Sequence, residues 1–227
     1  MRIRFIMTAV AAAGLVSLST VPATAAAEGA GPVADGSGQE CGAVRLSGSL
    51  PAPPPGMAVR QQVTIGADCT PHLGPAQLVT AAGAATAGRA AAPATGVRQL
   101  ESWSEMYDCC NIRMTGLYTT SSWETDGNRV VTASTEARQE WNREPWDAGW
   151  SLKSSGKTAD CVSDCAVSHN EARAAFSYKG IFDATGDWYA NEHRSFVDLN
   201  ADGTASCRFE VDLKHTFVGW NLRRGCS

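Results

Sequence analysis

Eight cysteines, Cys41, Cys69, Cys109, Cys110, Cys161, Cys165, Cys207 and Cys226, all lie beyond a segment built like an export leader. In residues 1–27, Arg2 and Arg4 precede an apolar run from Phe5 to Val16, and the small residues Ala23, Thr24 and Ala25 follow where a peptidase would cut. The run is too short to span a bilayer, so the sequence predicts a secreted, extracellular protein with no membrane span. An even cysteine count in an exported bacterial-type chain predicts a disulfide framework of four bridges. Cys41 and Cys69 stand apart from the rest and are expected to pair with each other. The adjacent Cys109 and Cys110 are expected to bridge in different directions, because neighbouring strand residues face opposite ways.

Aromatic residues divide the chain. Residues 28–98 hold no Phe, Tyr or Trp, whereas all seven tryptophans lie from Trp103 onward. This asymmetry predicts a small disulfide-closed β module or propeptide over 28–75, a flexible Ala/Gly/Thr-rich linker over 76–98, and a main β domain over 99–227. Removing Arg2 and Arg4 leaves 17 basic residues against 23 acidic ones, which argues against nucleic acid or anionic lipid as partners.

Period-two alternation supplies the strands. From Cys207 to Lys214 every odd position is apolar or cysteine and every even one charged, as on a strand with one buried and one wet face. Ala172 to Tyr178 repeats the pattern. Val59 to Ile65, Arg113 to Trp123, Arg129 to Arg138 and Gly149 to Thr158 are further strand candidates. With Ala201, Asp202 and Gly203 as a three-residue turn, Val197 pairs with Cys207, Ser195 with Phe209, His193 with Val211 and Arg194 with Glu210, keeping apolar and charged faces separate. The expected fold is an all-β, disulfide-stabilised antiparallel β-sandwich or small barrel, preceded by the small module and linker.

Three constellations bear on chemistry. Asp198 to Gly203 matches the first half of a calcium loop, but position twelve is Phe209 rather than a glutamate. Cys161, Cys165 and His169 recur every four residues, a zinc-like spacing against which export and disulfide formation argue. His193 and His215 fall on one expected face, about 13 Å apart at strand rise, too far to share an ion. No metal or other cofactor is expected. Neither G-x-S-x-G nor H-E-x-x-H occurs, and acidic residues such as Glu140, Asp147, Asp183, Asp187 and Glu192 are not distinguishable from surface charge. No catalytic residue is assigned.

Trp141, Trp146 and Trp150 fall within ten residues beside Glu140 and Asp147, a loop suited to presenting aromatic faces to sugars or to a protein. The competing reading packs these rings into the core, and Trp103, Trp123, Trp188 and Trp220 read as core or edge. The sequence therefore favours a non-enzymatic binding protein whose partner is an extracellular polysaccharide or protein. A secreted hydrolase of glycosidase type and an inhibitor of exported proteases are the alternatives.

Overall fold

A computed structural model describes residues 39–81, 96–143, 149–178 and 189–227. The expected leader, 1–27, lies outside the described residues. Among the described residues thirteen strands carry the fold: β1 (Glu40–Leu50), β2 (Met57–Ile65), β3 (Pro71–Leu73), β4 (Gln77–Thr80), β5 (Gly96–Tyr107), β6 (Arg113–Thr125), β7 (Val130–Trp141), β8 (Ser151–Ala159), β9 (Ser163–Cys165), β10 (Val167–Tyr178), β11 (Tyr189–Asn200), β12 (Ala205–Phe217) and β13 (Asn221–Cys226). Every pairing is antiparallel. One sheet runs β1-β12-β11-β10-β8, and the other runs β3-β2-β13-β5-β6-β7-β9 with β4 also on β2. The two pack face to face as a sandwich, with no closed barrel.

The last hairpin has the expected register: Val197 opposes Cys207, Ser195 opposes Phe209, His193 opposes Val211 and Arg194 opposes Glu210. Gly203 takes the positive-φ turn position at 83°. His215 departs from the alternation. Its φ of 54° shifts the strand phase, so Thr216 is buried instead and His215 Nδ1 meets Glu40 Oε1 at 2.8 Å.

The boundary expected between a 28–75 module and a 99–227 domain is not a boundary in the fold. β1 pairs along its length with β12, β2 pairs with β13, and Ser37–Ser227 forms one compact unit. These early strands need no aromatic residues of their own, because Val44, Leu46, Val63 and Ile65 share a cluster with Phe176, Trp150 and Trp220. Of the expected linker, Gln77–Thr80 is strand β4, while residues 82–95 lie outside the described residues.

Among the described residues three bridges form rather than the expected four: Cys41–Cys69, Cys161–Cys165 and Cys207–Cys226. Cys109 and Cys110 are exposed in the β5–β6 turn with Sγ atoms 3.7 Å apart. They occupy a turn rather than a strand, so the opposite-face argument for two separate partners does not apply to them. Cys207–Cys226 ties β12 of one sheet to β13 of the other, with both residues buried. Replacing both with alanine is expected to lower the unfolding free energy by about 3 kcal/mol on loop-closure grounds. Urea unfolding of the double variant checks this, and an unchanged midpoint would contradict it.

A polar belt crosses the middle of the core and divides it into two apolar clusters. On three strands of the larger sheet the inward residues change in step: Leu222, Arg224, Cys226 on β13; Val63, Gln61, Val59 on β2; Met106, Ser104 and Ser102, Leu100 on β5. The belt's hydroxyls are mutually satisfied. Ser102 Oγ lies 2.6 Å from Thr119 Oγ1 and 2.8 Å from Ser195 Oγ, and His193 is held by Ser104 Oγ at Nδ1 and Thr115 Oγ1 at Nε2, both at 2.9 Å. Such networks are tolerated in a core because these hydroxyls and the imidazole keep their partners on burial.

Candidate functional site

The outer face of the larger sheet carries a groove of about 930 Å³. Its floor is set by register. Arg60 on β2 opposes Gly225 on β13, Gly225 opposes Trp103 on β5, Trp103 opposes Tyr118 on β6, and Tyr118 opposes Arg138 on β7. These residues form one row across five strands, about 19 Å from end to end at the usual strand spacing. The next row reads Gln62, Arg223, Glu105, Gly116 and Glu140. Residues His72 to Pro75 line one side.

Glycine shapes this floor. A Cβ at Gly225 would collide with the Trp103 ring, so the indole lies flat on the β13 backbone. The Arg60 guanidinium stands 5.5 Å from the Trp103 ring centroid, Arg138 stands 4.4 Å from that of Tyr118, and Arg223 stands 4.1 Å from that of Tyr107. Cation and π-face contacts of this kind fix guanidinium planes without consuming their hydrogen-bond donors.

Glu105 is the hub of the second row. It accepts from the Tyr118 hydroxyl, from the Tyr107 hydroxyl at 3.1 Å and from Arg113 at 3.3 Å. Burial, and then the Glu105 carboxylate, raise both phenols above their ordinary range, so each keeps its proton and remains a donor to Glu105. Beneath the sheet, Arg224 is 1% exposed and donates to Gln61 Oε1 from Nη2 at 2.6 Å and to the Gly48 carbonyl at 3.2 Å.

The tryptophan loop foreseen as a contact surface is largely structural where it is described. Trp150 is buried, stacking near Tyr178 with ring centroids 5.7 Å apart. Trp141 is half-buried, 6.1 Å from Phe176 and capped by Arg143. Glu140 forms ion pairs with Arg113 and Arg138. Trp146 and Asp147 lie outside the described residues, as do Asp183, Asp187 and Trp188.

The other constellations resolve into structure. Cys161 and Cys165 bridge each other instead of facing a metal with His169, whose Nδ1 meets Asp198 Oδ1 at 2.7 Å. Asp202 Oδ1 accepts from the Thr204 amide and hydroxyl as an ordinary turn residue. Trp103, read from sequence as core or edge, instead sits outside beside Tyr118. The signal lay in β5, where Ser102 and Ser104 alternate with Trp103 and Glu105, so the aromatic residue shares the charged face.

Comparison of the chain with family models, with curated proteins and with solved structures finds no match. Among the described residues no helix is long and apolar enough to cross a membrane, and no cluster of His, Cys, Asp or Glu is arranged to hold a metal ion.

Proposed function

We propose that this is a secreted, non-enzymatic binding protein that recognises an extracellular carbohydrate in the groove of the larger sheet. The observation that carries the reading is the flat Trp103 ring, held on Gly225 and bordered by planar Arg60, Tyr118 and Arg138. A sugar ring offers a flat C–H face to an aromatic plane and hydroxyls at its rim to arginine, glutamine and glutamate. A row about 19 Å long suits several linked rings rather than one. Trp103 takes over the role first assigned to the 141–150 loop, two of whose tryptophans support the core.

Binding is a better account than hydrolysis. The two glutamates lining the groove, Glu101 and Glu105, are four residues apart on β5, about 13 Å along the strand. Paired glycosidase carboxylates stand about 5 to 9.5 Å apart. Glu105 is also occupied by three donors. Screening the secreted protein against immobilised glycans tests the proposal. A Trp103→Ala variant is expected to bind about 30-fold more weakly, the loss of one central aromatic anchor, while its thermal unfolding stays cooperative. Undiminished glycan binding by that variant would remove the groove from the proposal.

A further inference from the structure

The charges of the groove say more about its ligand than its shape does. The chain as a whole is acidic, with a formal charge of −4, yet four arginines line the groove against two glutamates. One of those glutamates, Glu105, is already neutralised by Arg113 and its two tyrosine donors. Arg138 is likewise spoken for by Glu140.

Three guanidiniums remain. Arg60 borders Trp103 at 5.5 Å from its ring centroid, Arg223 rests on Tyr107 and donates to Asn111 Oδ1, and Arg224 lies buried below. Among the described residues none of the three forms an ion pair with a carboxylate. Arg224 is the most telling, because taking a guanidinium out of water without an anion is costly and burial lowers its proton affinity. Among the described residues its acceptors are the neutral Gln61 amide and Gly48 carbonyl. Arg60 and Arg223 stand on the groove side of the same sheet. Glu101, the second lining glutamate, stands one row away beside Ser227.

We infer that the ligand is an acidic polysaccharide, with ring carboxylates paired to Arg60 and Arg223 while a sugar face covers Trp103. This deepens the carbohydrate reading and depends on it. A flat, half-exposed indole favours a pyranose ring over an acidic peptide, whose carboxylates come on flexible stems.

Polygalacturonate and its fully methyl-esterified form share one backbone and differ in charge, so they separate the two claims. At low salt the secreted protein is expected to bind the acid form about tenfold more tightly, as two modest ion contacts allow, and the preference should vanish at high salt. Arg60→Gln with Arg223→Gln should erase the preference, bringing the acid form and the ester to one affinity. Trp103→Ala should weaken binding of both forms. Equal affinity for the two forms at low salt would overturn the charge inference while leaving the groove standing. Absence of binding to polygalacturonate, alginate and hyaluronate alike would overturn it as well, and the neutral-glycan screen of Trp103→Ala then decides the groove by itself.

Discussion

Acidification from pH 7 to pH 4 is expected to remove about 3 kcal/mol of stability through a single side chain, His193. The imidazole is fully buried, with hydroxyls at both nitrogens and the Phe176 ring edge-on at 5.7 Å. Burial depresses its pKa from 6.5 to about 3. The folded protein therefore holds it neutral, whereas the unfolded chain takes up a proton below pH 6.5. The unfolded state binds more protons across the window from about 6.5 down to about 3, so stability is complete above the window, falls through it, and levels off beneath. The shifted carboxylates of Asp68, Asp126 and Asp202 act only at the acid end, because their ordinary value is 3.8. His169, raised by its hydrogen bond to Asp198, acts with the opposite sign and is exposed to solvent. Urea unfolding at pH 7, 5.5 and 4 measures the slope. His193→Gln should start less stable and lose little between pH 7 and 4, whereas an equally steep fall in that variant would contradict the assignment.

Arg224→Ala is expected to cost about 2 to 4 kcal/mol at pH 7. The substitution leaves Gln61 Oε1 and the Gly48 carbonyl without their donor and opens a void at the centre of the polar belt. Part of the loss is offset because a desolvated charge is also removed. Arg224→Met keeps most of the volume without the charge and should be milder, at about 1 to 2 kcal/mol. The local backbone is committed to arginine: Gly48 has φ of 147°, and a Cβ there would come 2.5 Å from Arg224 Nη2. Denaturant titration of both variants checks the order. An Arg224→Ala protein as stable as the parent would show that the belt's arginine contributes nothing net.

Alternation made the sandwich readable wherever inner residues were apolar and outer ones charged. β12 is the plain example, with Cys207, Phe209, Val211 and Leu213 inside and Arg208, Glu210 and Asp212 outside. β5 defeats that reading. Its inner face runs Leu100, Ser102, Ser104, Met106 and its outer face Glu101, Trp103, Glu105, Tyr107, so the middle of the strand has its larger apolar surface on the wet side. The inversion follows from the polar belt, which places serines inside, and from the groove, which places aromatics outside. Both depend on partners distant in sequence, including Arg224, His193 and Tyr118. The single compact unit was hidden for a related reason. β1 and β2 lend aliphatic residues to a core whose aromatics come from elsewhere, and composition alone reads such a segment as separate. The tryptophans of 141–150 drew attention by their density, yet Trp141 and Trp150 belong to the aromatic packing around Phe176 and Tyr178.

One paired titration distinguishes the proposed groove from the 141–150 loop as the carbohydrate contact. Affinity for the same glycan is to be measured for Trp103→Ala and Trp146→Ala. The groove requires the first variant to lose about 30-fold and the second to bind like the parent. The reverse result, with Trp103→Ala unimpaired and Trp146→Ala defective, would contradict the groove and return the contact surface to the 141–150 loop.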